Sequence, residues 1–95
     1  MIKSFADKIT AGLFERNKVK GLPTEILRTA YRKLLLIDAA VNLSDLKIPP
    51  GNCLEKLSGD LGTKWSIRIN SQWRIIFEWI KNDAYEVQII DYHKG

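Results

Sequence analysis

Residues 64–80, KWSIRINSQWRIIFEWI, constrain the fold of this chain more than any other stretch. Trp65, Ile67 and Ile69 alternate with Lys64, Ser66 and Arg68. After Asn70-Ser71, the residues Trp73, Ile75, Phe77 and Trp79 alternate with Gln72, Arg74 and Glu78. A period of two sends alternate side chains to opposite faces and marks half-buried antiparallel strands. β-branched and aromatic residues fill both segments, as strand packing favours. All three Trp fall here, which predicts that this hairpin carries the centre of the core.

The register follows from the same pattern. A two-residue Asn70-Ser71 loop would set Ile69 opposite Gln72 and Arg68 opposite Trp73, polar against apolar on both faces. A one-residue slip reverses the match. Ile69 is therefore expected opposite Trp73 and Ile67 opposite Ile75, across a three-residue loop with Asn in its left-handed position. Arg68 and Arg74 then share a face, roughly opposite each other. Guanidinium groups that close repel unless an anion lies between them, an arrangement suited to phosphate. Two solvated arginines on the wet face of a sheet are the other reading, and the hairpin alone leaves both open.

A chain of 95 residues with 45% hydrophobic content makes one domain, residues 1–95, with a real core. Cys53 is the sole cysteine and His93 the sole histidine. That excludes an internal disulfide and offers no zinc set, so no metal or other cofactor is expected. Cys53 is expected as a small core or strand residue, with no histidine near it in sequence to form a thiolate. The longest apolar runs resemble Leu34–Ile37, too short to span a membrane, and MIKSFADK lacks an apolar signal core. The expectation is a reduced, cytoplasmic location without membrane contact. The formal charge is +4, and the excess sits in residues 1–50. Such a balance is compatible with nucleic acid or an acidic protein partner.

Taken in order, Met1–Phe5 alternates and predicts a first strand. Asp7–Arg16 predicts a helix, with Ile9, Leu13 and Phe14 at helical spacing and Asp7 at its start. Asn17–Gly21 is a basic loop. Pro23–Ala40 predicts the main helix, with Pro23 in the first turn and an apolar stripe of Leu27, Ala30, Tyr31, Leu34 and Leu35. Its other face carries Glu25, Arg28, Thr29, Arg32 and Lys33. Arg16, Lys18, Lys20, Arg28, Arg32 and Lys33 stand against Glu25 across residues 16–33. That stretch is either a solvated helix face or a docking surface for a polyanion such as RNA. Residues 47–52, KIPPGN, form a punctuated loop. Cys53–Leu57 predicts a strand, Ser58–Gly62 a loop, Lys81–Asp83 a turn and Tyr85–Asp91 a last strand. A strand, two helices and then consecutive strands indicate α+β: two N-terminal helices packed on a small, mainly antiparallel sheet.

No glycine-rich phosphate loop or nucleophile elbow is present. Chemistry is left to the titratable groups of the sheet half: Glu55, Lys56, Lys64, Arg68, Arg74, Asp91, Tyr92 and His93. Asp-Tyr-His at a strand end supplies groups that move protons and donate hydrogen bonds; a frayed tripeptide is the alternative. If the last strand lies beside the hairpin, 91–93 approaches Arg74. Two cations and an acid/base group then suit RNA cleavage, with the ribose 2′-OH attacking its own 3′-phosphate.

Three stretches carry a family resemblance: PPGN-x-LE-x-LSGD (49–60), WSIRIN-x-QWRI-x-F (65–77) and DYH (91–93). Together with MIKSF they resemble the HigB toxins, killer-type members of the RelE/ParE superfamily. The resemblance implies a RelE-like fold and metal-independent cleavage of mRNA in the ribosomal A site, against 16S rRNA. It implies a partner, a HigA-type helix-turn-helix antitoxin through which operator DNA is bound. Arg74 matches the family's arginine on the scissile phosphate. Asp91, Tyr92 and His93 match the proton-transfer and positioning groups. Arg68 and Lys56 are looser matches by region, and Lys64, Arg28 and Arg32 are further candidates for RNA contact. Some HigB toxins carry a second histidine before the loop that here is 58–60; this chain has Glu55 near that point and no second histidine, so either Glu55 takes that role or Asp91 and His93 act without it. A ParE-type toxin that binds DNA gyrase, and a decayed toxin, are the other readings.

Overall fold

The hairpin forms in the register that its alternation dictates. In the computed structural model, which describes residues 1–58 and 62–92, Ile67 lies opposite Ile75, Trp65 opposite Phe77 and Arg68 opposite Arg74. The loop closes by a different device from the one expected. Asn70 is not left-handed. Instead its side-chain oxygen accepts the backbone N–H groups of Gln72 and Trp73, each at 2.8 Å, so the carboxamide mimics a turn of backbone.

Around this hairpin the chain runs α1 (Lys8–Phe14), α2 (Thr24–Ala39), two short 3₁₀ turns (Leu43–Lys47 and Pro50–Asn52), then β1 (Glu55–Lys56), β2 (Lys64–Arg68), β3 (Trp73–Ile80) and β4 (Asp83–Asp91). The four strands pair in chain order, all antiparallel. The expected α+β class, two helices on a mainly antiparallel sheet, is what forms. Met1–Phe5 is not a full strand: it touches β4 through two parallel bridges, Ile2 to Ala84 and Phe5 to Val87. Its far side is tied to α2, where the Ile2 N–H donates to Asp38 at 2.9 Å.

The β3–β4 turn holds Lys81 and Asn82 at φ 50° and 67°. Two left-handed residues between paired Ile80 and Asp83 suit the twist of a tight hairpin. Further along, the pairing steps from Glu78–Tyr85 to Ile76–Gln88, which leaves one extra residue on β4. Glu86 absorbs it at φ 53°. Its N–H donates to the Ser4 hydroxyl, which donates in turn to the Glu86 carboxylate. This bulge turns the β4 edge toward the N-terminal segment.

One face of the sheet is covered by the helices. Ile67, Ile75, Phe77, Ala84 and Val87 meet Ile26, Ala30, Leu34 and Ile37 of α2 in one cluster. Phe77 and each of these isoleucines contribute roughly 1.5–3 kcal/mol by leaving water. Two expectations shift here. The three Trp are half-buried at the margin of the cluster rather than at its centre. Each lies within one residue of a strand end, where so large a side chain keeps an edge in solvent. The buried stripe of α2 is also turned from the predicted one: Leu35 is 43% exposed while Ile26 and Ile37 are inside. In α1, Asp7 caps the helix by accepting the Thr10 N–H at 2.7 Å, and Arg16 follows its end at φ 64°. Thr10, not Ile9, faces inward, and its hydroxyl accepts the Ile89 N–H of β4 at 3.0 Å. A buried backbone donor on β4 is thereby satisfied.

Candidate functional site

The opposite face of the sheet is assembled by the same alternation. Lys64, Ser66 and Arg68 of β2 share it with Arg74, Ile76 and Glu78 of β3. Glu55 of β1 is paired with Ser66 and falls on this face, whereas Lys56, paired with Trp65, falls on the other. The Lys56 ammonium lies 5.9 Å from the Trp65 ring centroid. From β4, Ile90 pairs with Arg74, and Tyr92 two residues on returns to the Arg74 side. The Tyr92 N–H donates to the Gln72 carbonyl at 2.6 Å.

Arg74 is the centre of this face, and only 9% of it is exposed. Nε donates to the Ser66 hydroxyl at 2.9 Å, and Nη2 donates to the Cys53 carbonyl at 2.7 Å. Nη1 stands 3.2 Å from the Glu55 carboxylate, and the Tyr92 ring centroid lies 5.4 Å from the guanidinium carbon. An arginine has five N–H donors. Three are directed at these acceptors, and two remain. Arg68, opposite in register, is exposed. Glu55 compensates the charge of Arg74, and Arg68 turns to water.

The loop before β1 supplies the carbonyl. Cys53 adopts φ 48° and is exposed, so it is neither a core nor a strand residue. Only Glu55 and Lys56 of the predicted 53–57 strand pair. Asn52 is fully buried; its amide donates to the carbonyls of Leu46 and Ile48 at 3.1 and 3.3 Å. Its own oxygen accepts a hydrogen bond from Lys33 of α2. Burial holds the Lys33 ammonium below its ordinary pKa, with nearby Cys53 acting in the opposite sense. The main helix thereby anchors the loop that anchors Arg74.

The other predicted site residues are distributed as follows. Asp91 pairs with Trp73 and so falls on the face away from Arg74; at the strand end it accepts from the Gln72 side-chain amide at 3.1 Å. Lys64 is ion-paired with Glu78 at 3.4 Å, further along the same face. Arg28 and Arg32 stand on exposed α2, in the helix layer across the sheet from Arg74, and Lys56 also faces away. His93 lies outside the described residues. Among the described residues no group of three or more His, Cys, Asp or Glu side chains gathers to hold a metal ion, and no helix is long and apolar enough to cross a membrane. Ser66, Asn52 and the Cys53 carbonyl were not singled out from sequence. Ser66 could have been, as the small polar residue across the strand pair from Glu55.

Comparison with known proteins places this geometry in context. Residues 3–93 match the family model of HigB-like toxins, described as RelE-like toxins of the type II toxin–antitoxin system HigB. The chain is 42% identical over 95 residues to toxin HigB-1 of Vibrio cholerae, covering 99% of each. It is 37% identical over 93 residues to the endoribonuclease HigB of Proteus vulgaris, covering 98% of this chain and 100% of that one. A solved YoeB–YefM complex from Staphylococcus aureus contains a chain of the same fold, with TM-score 0.60, 18% identity and 99% of each chain covered.

Proposed function

The chain belongs to the family of RelE-like HigB toxins of type II toxin–antitoxin systems, and from that membership we propose that it is an endoribonuclease that cuts mRNA on the ribosome. It acts in the cytoplasm, and a HigA-type helix-turn-helix antitoxin neutralises it. The observation that carries this reading is Arg74, pre-oriented by the Ser66 hydroxyl, the Cys53 carbonyl and the half-exposed Glu55 carboxylate, and flanked by Tyr92.

The chemistry follows from those groups. The two remaining N–H donors of Arg74 bind the scissile phosphate and stabilise the charge that builds on it. Phosphate oxygens then compete with Glu55 for the guanidinium. The carboxylate so released accepts the 2′-OH proton as the 2′-oxygen attacks phosphorus. The bond from phosphorus to the 5′-oxygen breaks. A proton from the 91–93 segment, through His93, goes to that 5′-oxygen. The products are a 2′,3′-cyclic phosphate and a 5′-hydroxyl, and DNA, without the 2′-OH, is not cut. Tyr92 offers its ring to an unstacked base or ribose, and exposed Arg68 meets a neighbouring phosphate.

The test is primer extension on a reporter mRNA in a purified translation system, with wild type and Arg74→Ala side by side. In-frame cuts that require ribosomes and vanish in the variant bear the proposal out. Growth arrest in cells without any new mRNA 5′ ends overturns it in favour of a toxin that acts by binding, such as one directed at DNA gyrase.

A further inference from the structure

The site on the sheet leaves a second feature unused. Between α1 and α2 lies an open groove of about 530 Å³. Its apolar lining is Leu13, Leu27, Tyr31 and Leu35, and Arg16, Arg28 and Arg32 stand along it. We propose that this groove seats the antitoxin, through an amphipathic helix whose apolar stripe is flanked by carboxylates. The proposal rests on the toxin–antitoxin reading above and adds the surface and the chemistry of the contact.

Three observations carry it. The first is shape. Leu27, Tyr31 and Leu35 follow one another at i, i+4 and i+8 on α2, an apolar ridge beside the core stripe of Ile26, Ala30, Leu34 and Ile37. A helix laid along such a ridge fills it with anchors spaced three and four residues apart. The second is charge. Among the described residues no carboxylate lines the groove, and none of the three arginines is ion-paired with a described residue. Arg16 is held over the groove by Tyr31, 5.0 Å from its ring centroid, so cations border an apolar floor on a fixed frame. The third is place. The groove lies in the helix layer, across the sheet from Arg74, so an occupant need not enter the site to be held.

These features select among occupants. A single-stranded RNA would satisfy the arginines but leave the leucine floor without a partner. A second copy docked by a two-fold axis would set arginine rim against arginine rim, which like charges oppose. An acidic amphipathic helix uses both the floor and the rim.

The experiment is co-expression with a tagged HigA-type antitoxin, the partner proposed above, for wild type, Leu35→Asp and Arg28→Glu/Arg32→Glu. All three positions are exposed, and circular dichroism confirms that the variants fold. Binding to the antitoxin and to a short single-stranded RNA is titrated, and growth is scored with and without antitoxin. The expected result is that both variants bind antitoxin about tenfold or more weakly, and that Leu35→Asp still arrests growth but is no longer rescued. Unchanged antitoxin binding by both variants overturns the groove while leaving the toxin reading intact. A loss of RNA binding in the arginine variant, with antitoxin binding unchanged in both, makes the rim an RNA surface and also overturns it. A wild-type chain that neither arrests growth nor binds the antitoxin overturns both readings together.

Discussion

Arg74 and Glu55 form an ion pair at 3.2 Å although their strands, β3 and β1, are not neighbours. The Arg74 side chain crosses β2 to reach it, and Ser66 on β2 accepts Nε on the way. The pair is asymmetric: the Arg74 side chain is 10% exposed and that of Glu55 51%. A guanidinium charge buried this far has to be balanced in place. The carboxylate, lying at the water side, is the member that can move. This division gives the arginine a fixed position for phosphate and the glutamate a role that changes when phosphate arrives.

Replacing Arg74 should therefore remove activity more than stability. Arg74→Ala is expected to cost roughly 3–4 kcal/mol of barrier, about two to three orders of magnitude in cleavage rate. Arg74→Lys keeps the charge but cannot satisfy Ser66, Cys53 and Glu55 together, since an ammonium lacks the planar fork. It should recover little of the loss. Single-turnover cleavage in the translation system measures both, with circular dichroism as the control for folding.

Glu55→Gln separates two duties of the carboxylate. The amide can still accept from Arg74 but cannot take a proton. Because Glu55 is half in solvent, the lost ion pair should cost no more than about 1 kcal/mol of stability. Cleavage should fall by about a hundredfold or more if Glu55 is the base. Wild-type cleavage by Glu55→Gln would pass that role to the 91–93 segment.

Much of this was legible in sequence, and the limits have physical causes. The strand register could be read because only one pairing sets apolar opposite apolar through Ile67, Ile69, Trp73 and Ile75. That same register placed Arg74 and Ser66 on one face. The burial of Arg74 was not legible. It depends on Cys53 offering a carbonyl from a left-handed turn, and on Asn52 being held from inside by α2, contacts between residues far apart in sequence. The stripe of α2 was misjudged because Leu27, Tyr31 and Leu35 form an apolar ridge beside the buried one. Periodicity reports apolar positions, not which of two adjacent ridges is covered. Thr10 was overlooked in α1 because its inward place is fixed by a β4 amide, not by hydrophobicity.

Ser66 is predicted to act through Arg74 rather than on substrate. It is fully buried, and Ser66→Ala would leave the buried Nε–H without its acceptor, at a cost of about 1–3 kcal/mol. A purely structural role would lower stability and leave the cleavage constants of the folded enzyme unchanged. A positioning role lowers the chemical step in the same folded protein, and Ser66→Thr, which restores the hydroxyl, should recover it. Single-turnover rates at saturating ribosomes, beside thermal melts, separate the two.

Asn52 should matter for stability at a distance from the chemistry. Its side chain holds the carbonyls of Leu46 and Ile48 and accepts from Lys33. Asn52→Ala would strand those groups in a buried loop, and we expect a loss of about 1–3 kcal/mol. Asn52→Asp should also destabilise, since a carboxylate cannot donate to the two carbonyls. Urea denaturation measures both. A cleavage defect in the folded fraction of either variant would further show that the Cys53 carbonyl, one residue on, has lost its place under Arg74.

Asp45 offers a test of pH dependence whose sign is fixed by its contacts. Its carboxylate accepts the backbone N–H groups of Val41 and Asn42, at 2.9 and 3.0 Å, in front of the 3₁₀ turn. Those hydrogen bonds favour the charged form and hold its pKa below the ordinary value of 3.8. In the unfolded chain the group returns to that value, so between the two the unfolded state binds more protons. The stabilisation is therefore complete above the ordinary carboxylate range and is lost as pH falls through the folded value. Asp45→Asn keeps an acceptor but removes the charge. Wild type should melt higher than Asp45→Asn near neutral pH, and the gap should close as the pH is lowered through and below the carboxylate range. Thermal melts of the pair at pH 7, 5, 4 and 3 trace it. A gap that stays constant across that series would mean that the charge of Asp45 contributes nothing to holding the turn.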